Sequence, residues 1–402
     1  MSSTNLVHGW NHIDTDHVPD LLAALPDPNG LAWIHDGKGF VAWGTAARIE
    51  VPRGADRFRK SAHDLDRVLG GIERSSGSVP IALGSFSFDP NGHSELIVPR
   101  AVLRSDGDGS RVEFCGDLPP AVQESSICQG VPRIRYAGST ISELAWIEAV
   151  DAAVGEIGTG ELDKVVLARD LLVWAKGPLD RRVLAARLSR RFPECYTFIF
   201  GTLVGATPEL LVRRTGPSVE SLVLAGSARR GEDEAMDREI GAELLESAKD
   251  NREHRFSVDS VTEILDGMCD GISSEGPFLL KLANVQHIAT RVTGTTAGDR
   301  SALQIAGSLH PTAAVCGVPR PAAMEAIGRL EGIDRGRYSG PVGWVDANGD
   351  GEFGIALRCA DVDGTRARLF AGNGIVADSR PEAELEETRL KLRAMQDALS
   401  GD

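Results

Sequence analysis

Two acidic stretches in the C-terminal half place carboxylates where they could hold a hard cation. Within 381–395, Glu384, Glu387 and Lys391 recur at i, i+3 and i+7, so on a helix they project from one side. Asp250 and Glu253 repeat the i, i+3 spacing within Lys249-Asp-Asn-Arg-Glu-His254. Either helix alone reads as a solvated charged face. Two such helices meeting across a pocket would bind a divalent cation through oxygen ligands, with a lysine beside it for an anionic substrate.

Other candidates lie at the ends of apolar runs. Lys164 heads Lys-Val-Val-Leu167, where partial desolvation would lower its pKa and make it a base, or where it simply reaches solvent. Glu209 follows Thr207-Pro208 and precedes Leu210-Leu-Val212, as a strand-mouth acid or a plain turn residue. Ala225-Gly226-Ser-Ala-Arg-Arg230 reads as a small-residue loop whose amides could face an anion, and Gly372-Asn373-Gly374 as a glycine turn. His287, inside Asn284-Val-Gln-His-Ile288, is either a satisfied core histidine or a substrate contact. Asp346 to Gly351 has the look of a calcium loop, but the twelfth position is Leu357 rather than glutamate, so a hairpin turn is expected. Neither a dinucleotide fingerprint, a P-loop nor a Gly-x-Ser-x-Gly elbow appears.

The 402 residues carry a formal net charge of −15, which argues against nucleic acid or an anionic membrane as partner. An anionic substrate would then need a locally positive pocket, which a metal can supply. The six cysteines (115, 128, 195, 269, 316 and 359) form no CxxC and read as reduced thiols of a cytoplasmic protein. No apolar run is long enough to span a membrane, no signal-like apolar region opens the chain, and no heptad seam speaks against a monomer.

The positioning elements read as α+β with mainly antiparallel sheets. Residues 1–130 look like a β-rich lobe of the same unit, with strands near 30–34, 40–43 and 79–83 and a helix at 62–69. Residues 131–402 form the main core. There the pattern predicts a helix from a Thr140 cap to Ile157 with Leu144, Ile147 and Val154 inward, and strands at 164–167 and 171–174. A helix over 179–192, strands near 195–201, 210–213 and 219–224, and one long helix from Asp233 to Leu265 follow. Strands near 342–345, 354–357 and 367–369 precede the terminal helix.

Taken in order, KVVLAR (164–169), GATPELL (205–211), LAGSARR (224–230), SAKDNREH (247–254), LHPTAAVCGVPR (309–320), YSGPVGW (338–344), GIALRCA (354–360), LFAGNGIVADS (369–379) and PEAELEETRLKLRAM (381–395) resemble the chorismate-utilising enzymes, and within them the isochorismate synthases. The resemblance implies a chorismate-binding α/β fold whose two lobes enclose a central site. It implies that Lys164 activates water for attack at C2 of chorismate and that Glu209 protonates the departing C4 hydroxyl. Glu253 and Glu387 match magnesium ligands, with Asp250 and Glu384 adjoining, the Mg²⁺ holding the ring carboxylate. Arg358, Gly372 and Lys391 match positions around the enolpyruvyl carboxylate, and Gly226 and His287 match further pocket positions. Ala225 stands where aminodeoxychorismate synthases carry a nucleophilic lysine, and no amidotransferase half is present. Ala314 stands where salicylate synthases usually carry threonine, which favours release of isochorismate over pyruvate elimination. Ala313 and Asn373 depart from the family's usual proline and small apolar residue. The product of such an enzyme feeds menaquinone, catecholate siderophores or salicylate-derived compounds.

Overall fold

A computed structural model describes residues 9–15, 20–26, 30–117, 130–296 and 298–401; Cys128 and part of the expected boundary between 115 and 136 lie outside them. The described residues form a twelve-stranded and a nine-stranded sheet, each built from antiparallel pairs and flanked by helices. The first sheet passes from N-terminal strands such as Leu31–His35 directly onto Tyr196–Phe200 and ends around Arg366–Ile375 and Lys164–Ala175. The second joins Ile81–Ser85 to Pro341–Asp346 and reaches Ser218–Arg229 and Val285–Thr296. Residues on both sides of position 130 thus share both sheets.

Strand periodicity explains the layering. In the first sheet Trp33, Phe40, Phe198 and Phe200 join one buried cluster, whereas Ile34, Val41 and Ile199 join another on the opposite face. The first cluster takes in residues of the second sheet, with Phe40 edge-on to Trp344 at 5.8 Å between ring centroids. The second cluster is closed by helices Arg181–Arg191 and Pro381–Ser400. The sheet is therefore covered on both sides.

Several elements differ from the sequence expectation. The expected 233–265 helix is two helices, Glu234–Glu246 and Ala248–Asp266, because Ser247 adopts extended backbone and its hydroxyl caps the second by accepting from Asp250 N. The helix expected from Thr140 starts at Glu143 with Ser142 as cap. Thr140 instead gives its amide and hydroxyl to buried Asp170. Leu144 is 65% exposed, and Trp146, Val150 and Ala153 make the inner face. The strands expected at 164–167 and 171–174 are one continuous strand, Lys164–Ala175. Cys269–Lys281 is a strand that the sequence did not announce, being polar and exposed along much of its length.

One buried ion pair ties the core to the cleft described below. Arg335 and Glu331, 2% and 1% exposed at their side chains, are joined by two contacts of 2.8 and 2.6 Å. Arg335 also donates to the carbonyls of Val166 and Val315, and Glu331 accepts from Ala168 N. Breaking one partner of such a pair leaves a buried charge uncompensated. Arg335→Met should therefore cost about 3–5 kcal/mol by chemical denaturation; a loss below ~1 kcal/mol would mean that the pair does not carry this part of the core.

Candidate active site

The sequence candidates converge on one cleft between strand ends of the two sheets and the helix Ala248–Asp266. Glu209, Gly226, Glu253, His287, Ala314, Arg358, Gly372 and Lys391 line it. Lys164, Asp250, Glu384 and Glu387 are not in its wall; they are tied to it through the contacts that follow.

Lys164 does not reach solvent, although it opens its strand. It is fully buried, with Nζ 2.9 Å from Ser257 Oγ and 3.3 Å from Glu253 Oε1. Glu253 and Ser257 are one turn apart on the helix that starts at Ala248, so a single helical face receives the ammonium. Burial lowers its pKa, opposed chiefly by the charge of Glu253. Glu209 sits in the short link between strands Leu203–Thr207 and Leu210–Thr215, 4% exposed. Burial raises its pKa to about 8 even though Lys164, Arg358 and Lys391 pull it down. That value favours the protonated acid at neutral pH.

The two glycine segments are parts of strands, not loops. Ser218–Arg229 runs through 225–229, and Gly226 at φ +77° forms a bulge there. Gly372-Asn373-Gly374 lies inside strand Arg366–Ile375, so Gly372 and Gly374 face the cleft while Asn373 faces the terminal helix. A Cβ on Gly374 would come 2.1 Å from Glu253 Oε1 and 2.8 Å from Lys164 Cε. Gly374→Ala should thus push Glu253 off Lys164 and lower turnover by up to about 10², with little change in melting temperature. Unchanged turnover would show that the Lys164–Glu253 contact does not matter.

The carboxylates form a partly neutralised group. Burial raises Glu387, but Lys391 at 2.8 Å, Lys249 and the Ser227 hydroxyl offset it and leave its pKa below the usual range. Burial raises Asp250, and the charges of Glu253 and Glu387 add to this against a hydrogen bond from Ser247. Glu384, 1% exposed, is raised by burial and by Glu387's charge; its oxygens are engaged by Lys249, Ser379 Oγ and Asn373 Nδ2. Asn373 Oδ1 in turn accepts from Lys391 Nζ at 3.0 Å, so the departure at this position cross-links two members of the site. Among the described residues no three such groups stand close enough to form a closed metal cage. Oxygen-only donors from two facing helices, with like charges pressing on one another, fit Mg²⁺, which is commonly held by one or two carboxylates beside an anionic substrate.

The wall around Arg358 and Lys391 is cationic and partly unsatisfied. Arg358 has a left-handed backbone at φ +46°, uncommon outside glycine, and its buried Nε has no partner among the described residues. Its Nη2 lies 2.9 Å from His287 Nε2. Tyr338 and Ser339 also line the cleft, Tyr338 stacked on Phe370 at 5.1 Å between ring centroids. Residue types alone did not single out Tyr338, Ser227 or the Glu331–Arg335 pair; their roles depend on which strands are neighbours.

Residues 121–400 match the family described as chorismate binding enzyme. Isochorismate synthase MenF of Bacillus subtilis (strain 168) is 33% identical over 380 residues, 86% of this chain and 80% of that protein. Isochorismate synthase EntC of Escherichia coli (strain K12) is 32% identical over 391 residues, 94% and 97% of the two chains. The solved structure of MenF, the menaquinone-specific isochorismate synthase from Escherichia coli, superposes with a TM-score of 0.82 over 99% of this chain and 96% of that one; at 24% identity this speaks for the fold. Among the described residues no helix is long and apolar enough to cross a membrane. The chain therefore belongs to the chorismate-binding enzymes, among relatives that are isochorismate synthases.

Proposed function

We propose that the protein is a Mg²⁺-dependent isochorismate synthase. The observation that carries this reading is a Glu209 in the cleft wall, its pKa raised by burial to about 8, together with a fully buried Lys164 that meets the wall through Glu253 at 3.3 Å. The reaction adds water at C2 of chorismate and loses the C4 hydroxyl as water, so it needs a base, an acid and an anchor for two carboxylates, with no change in oxidation state. Lys164 Nζ takes the proton of the attacking water, and the Glu209 carboxyl gives its proton to the departing hydroxyl. Arg358 and Lys391 hold the enolpyruvyl carboxylate near Gly372, and Gly226, His287 and Ala314 shape the remaining wall.

Glu253 and Glu387 would hold Mg²⁺, with Asp250 and Glu384 supporting them. When bound, the cation would supply positive charge for the ring carboxylate and for the carboxylates that hold it. Glu253 is the main influence keeping Lys164 charged. Once that carboxylate is neutralised, burial is left to lower the amine toward the range of a working base. The reading includes a cytoplasmic monomer that needs no amidotransferase, since the incoming group is water.

The test is to incubate the purified chain with chorismate and Mg²⁺ and to resolve products at short and long times. Isochorismate accumulating to an equilibrium mixture without pyruvate is the expected result. Salicylate with equimolar pyruvate would instead make the protein a salicylate synthase, and would mean that Ala314 in the cleft wall does not prevent elimination.

A further inference from the structure

Three acceptors hold the ammonium of Lys391, which lines the cleft. Its Nζ lies 3.1 Å from the Gly372 carbonyl, 3.0 Å from Asn373 Oδ1 and 2.8 Å from Glu387 Oε1. An ammonium has three protons to give, so all of them are taken. Glu387 lies one turn away on the same helix, whereas Gly372 and Asn373 are consecutive residues of strand Arg366–Ile375. Two of the three ties therefore anchor the lysine to the sheet.

The Asn373 amide has one allowed orientation. Nδ2 donates to the Glu384 carbonyl at 2.8 Å and to Glu384 Oε2 at 3.0 Å, while Oδ1 faces Lys391. A flipped amide would set its NH₂ against an ammonium, which cannot accept, and its oxygen against a carbonyl, which cannot donate. The side chain is buried with both amide protons and the oxygen engaged. Strand alternation puts it there: Gly372 and Gly374 face the cleft, and the residue between them meets the terminal helix at Glu384. Lys391 stands about two turns beyond Glu384 on that helix. Long helical side chains lean back toward the N-terminus, so its ammonium and the Glu384 carbonyl reach the same amide.

We infer that Asn373 is a positioning residue that, through Oδ1, fixes Lys391 in the cleft for a carboxylate of the substrate. This rests on the proposed role of Lys391 at the enolpyruvyl carboxylate. An incoming carboxylate competes with the charged Glu387 for the ammonium, while the two neutral acceptors on the strand keep it in place. A hydrogen bond to a charged group is worth about 10–100-fold in an equilibrium constant.

Steady-state kinetics with chorismate and Mg²⁺ are measured on the wild type, Asn373→Ala, Lys391→Met and the double variant Asn373→Ala/Lys391→Met, each with a melting curve. Asn373→Ala should raise KM by about 10–100-fold. Its kcat should be nearly unchanged, the pattern of a contact made equally to bound substrate and transition state. Lys391→Met should raise KM at least as much. The double variant should be no worse than Lys391→Met, because without the ammonium the amide oxygen has nothing to hold. An asparagine that only stabilised the fold would lower the melting temperature and add its penalty to that of Lys391→Met. Wild-type KM in folded Asn373→Ala, a fall in kcat at unchanged KM, or penalties that multiply in the double variant would overturn the inference. If Asn373→Ala does not fold, Asn373→Leu, close to asparagine in volume, removes the same acceptor, and wild-type KM there overturns it equally. Wild-type KM in Lys391→Met sinks the reading of Lys391 and the inference with it, whereas a raised KM there beside wild-type KM in Asn373→Ala sinks the inference alone.

Discussion

Lys164→Met should lower turnover of chorismate by about 10² to 10⁴, the usual cost of losing one well-placed acid or base. Methionine fills the same buried channel without a charge, so the desolvation that Lys164 now bears disappears. The Glu253 carboxylate loses its 3.3 Å partner, but it borders the cleft, where water or a cation can reach it. Folding should therefore be nearly unchanged, and Mg²⁺ affinity nearly intact. The measurement is kcat by product chromatography, with a melting curve and a Mg²⁺ titration on the same sample. Full activity in a folded variant would remove Lys164 as the base. Loss of both activity and Mg²⁺ binding would mean that Lys164 acts by holding Glu253.

The candidate site was more legible than the elements that carry it. Glu253, Glu387 and Lys391 could be read because a helix repeats its face every three or four residues, and the spacing survives whatever the tertiary structure does. Lys164 could be read as a base only as one of two alternatives. A strand-end lysine is buried or exposed according to what packs on it, here a helix distant in sequence that brings Glu253 and Ser257. Gly226 and Gly372 to Gly374 were noticed for the right composition but assigned to turns. In this fold glycine serves instead for a bulge and for close approach, since a Cβ on Gly374 would lie only 2.1 Å from Glu253 Oε1. The break at Ser247 was missed because the apolar period continues across it, and only the extended Ser247 backbone interrupts the hydrogen bonding. Ser227, Tyr338 and the Glu331–Arg335 pair were out of reach, since cross-strand register and long-range packing leave no periodic trace.

Glu209→Gln should cost a similar factor of about 10² to 10⁴ in kcat, because an amide keeps the shape of the side chain but cannot protonate the departing hydroxyl. The pH dependence makes this assignment specific. With its pKa raised to about 8, Glu209 holds its proton through neutrality, and wild-type kcat should fall as pH rises past that value. The variant's residual rate should lack that alkaline fall; if it declines at the same pH, another group is responsible. Stability carries the same signature. The folded chain binds a proton that an unfolded carboxyl, near its ordinary value of 4.5, has already released. Between those two values the native state therefore holds more protons, and its stability decreases as pH rises, by about 1.4 kcal/mol per unit at most for one group. Lys164, Arg358 and Lys391 offset part of this by favouring the ionised form. Glu209→Gln has no such proton to lose, so its stability relative to wild type should grow from acid toward pH 8 and then level off. A constant difference across that range would mean that Glu209 is already ionised in the folded enzyme and cannot be its acid.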